Sequence, residues 1–257
     1  MELDDAYQNA GYIPAGDTYP DKWAKAAAAY RDTALCEVDL AYGETHRQTM
    51  DIFHPARLSK GLLVFVHGGY WLRFDKSYWS HLAAGPLAHG WTVAMPSYDL
   101  CPDVRITAIG RQIGDAISFA AARVPGPIRL SGHSAGGQLA ARVSVPVGGS
   151  PWQERLQKLV AISPVADLAP LMQTSMNADL GIDDHEVGAE SPVHLAPPDC
   201  DVTVWVGAQE RPAFLHQAKV LADAWDCKKV ISPGEHHFSV VEALAVEDSP
   251  LTHELLG

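Results

Sequence analysis

The residues with the most chemical capacity lie in IRLSGHSAGGQLAARV, where Gly132-His133-Ser134-Ala135-Gly136 spells G-x-S-x-G between an apolar run and a helix-length segment. A serine on a sharp strand-to-helix turn has a strained backbone, so the residues two before and two after it must be small. Gly132 and Gly136 meet that need, and Gly137 adds clearance. The turn also sets Ser134 at a helix N-terminus, where backbone N–H groups and the helix dipole favour developing negative charge. This pattern predicts a nucleophile for acyl transfer. The plainer use of the same residues is a glycine-rich helix entry with Ser134 as its N-cap.

A serine hydroxyl needs a base, and the base needs a third group to orient it. Of the 12 histidines, the adjacent His236 and His237 in VISPGEHHFSVVEAL follow the last apolar run, and position alone does not separate them. For the third group, Glu210 in GAQERPAF stands behind the run VTVWV and upstream of both histidines. Asp167, after VAISPVA, also follows a strand-like run, but position relative to the last two runs favours Glu210. The tetrahedral intermediate would carry an oxyanion, and losing one preorganised N–H donor to it costs about 2.7–4 kcal/mol. Ala135, next after the serine, is one expected donor. The others are expected from VFVHGGYWL, where the chain leaves an apolar run through His67-Gly68-Gly69 and then places Tyr70 and Trp71. Gly68 and Gly69 would let N–H groups, that of Tyr70 included, face the reacting carbonyl unobstructed. His67 would pin the loop by hydrogen bonds and not act as the base.

Such loops need strand ends to hold them. GLLVFVHGG, WTVAMPSY, PIRLSGHS, KLVAISP, VTVWVGA and KKVISPG are short apolar runs, separated by helix-length segments at 105–123, 135–145 and 213–226. This alternation predicts an α/β fold, a mostly parallel central sheet with helices on both faces. CEVDLAY and TMDIFHP alternate in polarity around GETHRQ, which predicts an antiparallel pair at the N-terminal edge of the sheet. Ligands of such sheets sit beyond the carboxyl ends of the strands. No repeat or linker divides residues 1–257, so one domain with a minimal cap is expected. Residues 1–35 read as a turn-rich, lid-like lead-in with an alanine-rich helix, and 168–199 as irregular structure over the active site.

Charge and composition narrow the function. Basic residues number 19 against 31 acidic ones, a net charge of −12, which argues against nucleic acid and anionic membrane surfaces as partners. No apolar stretch is long enough to span a bilayer. MELDDAYQNAGYIP has neither a basic nor an apolar leader region, and Cys36, Cys101, Cys200 and Cys227 show no CxxC pairing. A cytoplasmic protein with free thiols is expected. Neither an HExxH pattern nor a GxGxxG after the first parallel strand is present, so no metal and no dinucleotide are expected.

Taken together, HGGYW, GHSAGG, PSYDLCP and HHFSVVE resemble the α/β-hydrolase superfamily. More narrowly they resemble its arylformamidase (kynurenine formamidase) branch, near the hormone-sensitive-lipase-like esterases. The resemblance runs from about residue 40 to 245, and AYQNAGYIP is similar to that branch as well. The wider esterases have a third glycine where this chain has Tyr70, and HGG-x-W is the more specific formamidase form. In that branch the base precedes a phenylalanine, as His237 precedes Phe238, and the acid precedes xPxF, as Glu210 precedes Arg211-Pro212-Ala213-Phe214. The resemblance thus implies His237 as base, with His236 a loop residue. It also implies hydrolysis of N-formyl-L-kynurenine to kynurenine and formate without a metal or cofactor, with aryl and short-chain esters as further substrates. The acid is commonly Asp in the branch and is Glu here, a departure that bears on activity more than on fold. Tyr70, Trp71 and Tyr98 are expected to form an aromatic substrate slot, with Phe74, Tyr12, Tyr19 and Trp23 as further candidates. The alternatives are a carboxylesterase or thioesterase for short acyl groups and, from another class, a non-catalytic receptor using the same pocket.

Overall fold

The computed structural model describes residues 3–146 and 149–257. The first two residues of the N-terminal lead-in therefore lie outside it. Eight strands form one sheet: β1 (Cys36–Ala41), β2 (Thr49–Phe53), β3 (Leu62–Val66), β4 (Thr92–Pro96), β5 (Ile128–His133), β6 (Leu156–Ile162), β7 (Asp201–Gly207) and β8 (Lys228–Ser232). Their spatial order is β1-β2-β4-β3-β5-β6-β7-β8. β2 runs antiparallel to β1 and β4, and every pair from β4 to β8 is parallel. The six apolar runs are β3 to β8, and the edge pair is β1 with β2.

The runs of β3 to β7 do not alternate in polarity because both faces of the sheet are covered there, whereas the edge strand β8 is largely exposed. Val64, Val66, Leu130, Ala161 and Val204 enter one core, while Leu63, Phe65, Val93, Met95 and Ile162 enter the other. The helices are α1 (Tyr19–Arg31), α2 (Ala84–Ala88), α3 (Ile106–Arg123), α4 (Ala135–Ser144), α5 (Asn177–Leu180), α6 (Asp184–Glu190), α7 (Pro212–Trp225) and α8 (Pro250–Leu256). The first core lies under α3, α4 and α7, and the second under α1 and α8. On α3, Ile106, Ile109, Ile113, Ala116, Ile117 and Ala120 recur at helical spacing and are all fully buried.

Residues 168–199 hold α5, α6 and two single 3-10 turns. The α6 part of this segment is tied to α3 and α4. Gln138 Nε2 donates to Glu190 O (2.7 Å), Arg142 Nε to Ala189 O (2.7 Å) and Arg105 Nε to Glu186 Oε2 (2.9 Å). All four cysteines are free. Among the described residues, no helix is long and apolar enough to cross a membrane.

Candidate active site

Ser134 sits between β5 and α4 with φ 59° and ψ −120°, a conformation L-residues seldom adopt. It is held there from both sides: its amide donates to Ile162 O (2.9 Å), and its carbonyl accepts from Gln138 N (3.1 Å). Glycine at 136 is required by close approach, since a Cβ there would lie 2.1 Å from Val66 O and 2.3 Å from His67 O.

His237, in the loop after β8, and Glu210, in the loop after β7, converge on this serine. Ser134 Oγ is 3.0 Å from His237 Nε2, and His237 Nδ1 is 2.6 Å from Glu210 Oε2. All three residues are buried. With Nδ1–H donating to the carboxylate, Nε2 is left to accept the serine proton. The other oxygen of Glu210, Oε1, accepts from Gly207 N (2.9 Å) and from the hydroxyl of Ser163. The carboxylate is thereby locked in orientation. Ser163 follows an apolar run, as the strand-end rule for ligand sites requires, yet sequence reasoning misses it. Asp167 is elsewhere engaged, its Oδ1 accepting from Ala169 N (2.9 Å).

Two neighbouring histidines act on backbone. His133 Nε2 donates to His237 O (2.8 Å), and burial holds its pKa well below the ordinary 6.5. His236 Nδ1 accepts from the amides of Phe238 (3.2 Å) and Ser239 (3.1 Å), so its Nε2–H is the end that meets Tyr19 Oη at 3.1 Å. Burial also lowers the His236 pKa.

The HGGYW loop lies against the serine turn. A Cβ on Gly68 would sit 2.7 Å from His133 O and 3.0 Å from Ser134 Cβ, so only glycine lets the loop come this close. Gly69, Tyr70, Trp71 and Phe74 all have positive φ. Of eight such non-glycine residues among the described residues, Tyr70, Trp71, Phe74, Ser134 and Ser163 lie at this one place. Each costs about 1–2 kcal/mol, a strain that clusters at functional sites. The amides of Gly69, Tyr70 and Ala135 find no acceptor among the described residues, which leaves them available to an oxyanion. His67 Nδ1 donates to Gly68 O (2.8 Å) while its ring stacks on Tyr98 at 4.3 Å, and burial takes its pKa down to about 4. His67 is thus a neutral pin for the loop.

A cavity of about 780 Å³ opens onto Ser134 and His237. Tyr70, Phe74 and Trp23 line it, whereas Trp71 and Tyr98 are fully buried behind the loop. Trp71 Nε1 donates to Gln138 Oε1 (3.1 Å), and Tyr98 Oη donates to His67 O (2.8 Å). The expected slot therefore loses Trp71 and Tyr98, because their polar atoms are committed to the scaffold. Tyr12 and Tyr19 are also absent from the wall, while Tyr7, Trp79 and Phe238 belong to it. Residues 168–199 contribute Ser175 and Met176 to the lining, and much of the rest comes from residues 4–20.

This N-terminal strap is anchored to the chain neighbours of the site. Tyr70 Oη donates to Tyr7 O (2.6 Å), Arg211 Nη2 pairs with Asp5 Oδ2 (2.8 Å), and Tyr19 meets His236. Away from the cavity, His89, Asp248 and His253 bring three possible metal-ligand atoms within 4.8 Å of one another. None of the three lines the cavity.

A family model described as alpha/beta hydrolase fold matches residues 63–192. The kynurenine formamidase of Salmo salar is 28% identical over 250 residues, covering 88% of this chain and 83% of that one. The kynurenine formamidase of Drosophila melanogaster is 28% identical over 241 residues, covering 84% and 79%. Among solved structures, a candidate thioesterase from Silicibacter sp. TM1040 is 49% identical, with 100% of each chain covered and a TM-score of 0.98. Esterase B from Lactobacillus rhamnosis is 19% identical, covering 93% of this chain and 90% of that one, with a TM-score of 0.69, a likeness of fold.

Proposed function

The chain belongs to the alpha/beta hydrolase fold family, and from that membership we propose that it is a single-domain serine hydrolase of the arylformamidase type, acting on small molecules. The observation that carries this reading is the unbroken chain from Ser134 Oγ to His237 Nε2 (3.0 Å) and from His237 Nδ1 to Glu210 Oε2 (2.6 Å). His237 takes the hydroxyl proton as Ser134 Oγ attacks a formyl or acyl carbonyl. The N–H groups of Gly69, Tyr70 and Ala135 hold the oxyanion of the tetrahedral intermediate, beside Gly68, which admits the loop. Collapse breaks the C–N or C–O bond, and His237 returns the proton to the departing amine or alcohol. Water, deprotonated by His237, then releases the formate or carboxylate from Ser134. Glu210 keeps His237 in the tautomer that can accept.

N-formyl-L-kynurenine is the substrate this reading favours. Its support is the formamidase name of relatives that match more than four-fifths of the chain, together with an aromatic wall of Tyr70, Phe74 and Trp23. A thioesterase or carboxylesterase for short acyl groups is the second reading, favoured by the 49% identical candidate thioesterase. Kinetics of the purified protein and its Ser134→Ala variant on N-formyl-L-kynurenine, p-nitrophenyl esters and acyl thioesters test both. Ser134-dependent deformylation with the highest kcat/KM supports the first, and brisk ester or thioester cleavage with weak deformylation selects the second. Wild-type turnover by Ser134→Ala on every substrate would sink the serine mechanism.

A further inference from the structure

Tyr7 is the residue by which the N-terminal strap docks. Between residues 3 and 15 most side chains are exposed or half-buried, but Tyr7 is 5% exposed and joins the core beneath α3, α4 and α7. Burying one large ring from a mostly exposed segment fixes the segment at that point. The Tyr7 hydroxyl is held there by Gln217 of α7, whose Nε2 donates to it (2.9 Å). Gln217 is fully buried and is itself fixed, donating to Asp167 O (2.9 Å) and accepting from Asp167 N (2.7 Å).

From this one position Tyr7 reaches both sides of the site. Its carbonyl accepts from Tyr70 Oη (2.6 Å), on the HGGYW loop. Tyr70 stands at φ 55°, a conformation that persists only where its surroundings over-determine it. The bond to Tyr7 is the one hydrogen bond its side chain makes among the described residues. On the other side, the Tyr7 ring meets Phe214 edge-on at 5.9 Å, and the Phe214 ring lies 4.2 Å from that of His237. Phe214 is fully buried, so in a close-packed interior a shift of Tyr7 is passed on and not absorbed.

Resting on the serine-hydrolase reading of this site, we propose that Tyr7 is a positioning residue for the reaction. Docked, it holds the Tyr70 amide toward the oxyanion and the His237 ring toward Ser134, acting through Tyr70 and Phe214. The strap is then part of the catalytic apparatus and not only its cover. Moving an oxyanion donor or a base by about 1 Å is enough to cost about 10²-fold, so the effect falls on kcat. Tyr7 also lines the cavity, and the two roles separate cleanly. A side chain that only walls the cavity acts on KM, and more for large substrates than for small ones.

The test is steady-state kinetics on p-nitrophenyl acetate and p-nitrophenyl butyrate, with kcat expressed per site titrated to completion by a fluorophosphonate. Tyr7→Ala should lower kcat about 30- to 100-fold on both esters alike and change KM by less than about threefold. Tyr7→Phe keeps the ring and the carbonyl and gives up only the Gln217 bond, so it should return to within about fivefold of wild type. Tyr70→Phe cuts the hydroxyl link but keeps the amide, and should lower kcat about tenfold. Both changes break one linkage, so the double variant should lose no more than Tyr7→Ala alone. Losses confined to KM, multiplicative losses in the double variant, or a Tyr70→Phe kcat within about twofold of wild type would overturn the proposal. Tyr70 is only half-buried, so Tyr70→Phe decides the matter even where Tyr7→Ala yields no folded protein. Failure of the underlying mechanism looks different, since Ser134→Ala would then keep its turnover. Failure of the positioning role alone leaves Ser134→Ala inactive and the Tyr7 variants at wild-type kcat.

Discussion

His133 donates its Nε2–H to the carbonyl of His237 at 2.8 Å, so the residue just before Ser134 holds the backbone of His237, 104 residues later. Both groups are buried, and truncation would leave the His237 carbonyl without a donor. The Ser134 to His237 distance depends on that anchor. His133→Ala should lower kcat about tenfold or more and change KM by less than about threefold, since a small misplacement of a base is felt in the transition state. Steady-state kinetics on p-nitrophenyl acetate measure the split. A change confined to KM would show that His133 acts on substrate and not through His237.

Ser163 and Gly207 both donate to Glu210 Oε1, which leaves Oε2 aimed at His237. Losses in kcat should therefore follow an order. Ser134→Ala and His237→Ala should cost at least about 10⁴-fold, Glu210→Ala somewhat less, and Ser163→Ala about 5- to 20-fold. If Ser163→Ala proved as damaging as Glu210→Ala, the hydroxyl would be doing more than orienting a carboxylate.

Two glycines should fail in different ways. Gly136→Ala places a Cβ within 2.3 Å of two backbone carbonyls in the centre of the fold. It should cost more than about 4 kcal/mol and yield little folded protein. Gly68→Ala meets His133 O at 2.7 Å at the edge of the cavity, where a loop can yield. That variant should fold and lose about 100-fold or more in kcat as the oxyanion donors move away. Thermal unfolding and kinetics measured together separate the two outcomes.

Stability should fall in mild acid. Burial holds His67 down to about 4 and His133 well below 6.5, so both are neutral in the fold where the unfolded chain is protonated. Between about 6.5 and 4 the unfolded state binds more protons. Stability from these two groups is thus complete above 6.5 and is lost as pH falls through that window. Urea midpoints at about pH 5 should lie below those at about pH 7.5. An unchanged midpoint would contradict the buried, uncharged state of these rings.

Some of this arrangement is legible from spacing and some is not. G-x-S-x-G carries its own geometry, because a serine on that turn tolerates only small neighbours two residues away, and Gly136 packs against two carbonyls as expected. The aromatic slot is where reading along the chain fails. Tyr70 and Trp71 are adjacent and similar, yet Tyr70 faces the cavity while Trp71 points into the core to bond Gln138. Successive side chains on a strained loop diverge, and composition does not say which turns inward. The roof is drawn from both segments the sequence reading placed there. Within 168–199, α6 is tied to α3 and α4 while Ser175 and Met176 reach the cavity, and the lid-like N-terminal strap supplies much of the remaining cover.

The sequence by itself determined the strand-and-helix alternation, the sharp serine turn, the glycine loop after β3 and the strand ends where partners for Ser134 must stand. These follow from local rules: apolar runs that need cover on both faces, and turns that only glycine can make. Tertiary structure alone decided that Ser163 and Gly207 aim Glu210, that His133 carries the backbone of His237, and that Tyr7 reaches both Tyr70 and Phe214. Each of those depends on where separate loops meet above a twisted sheet, a distance that no periodicity in the chain encodes.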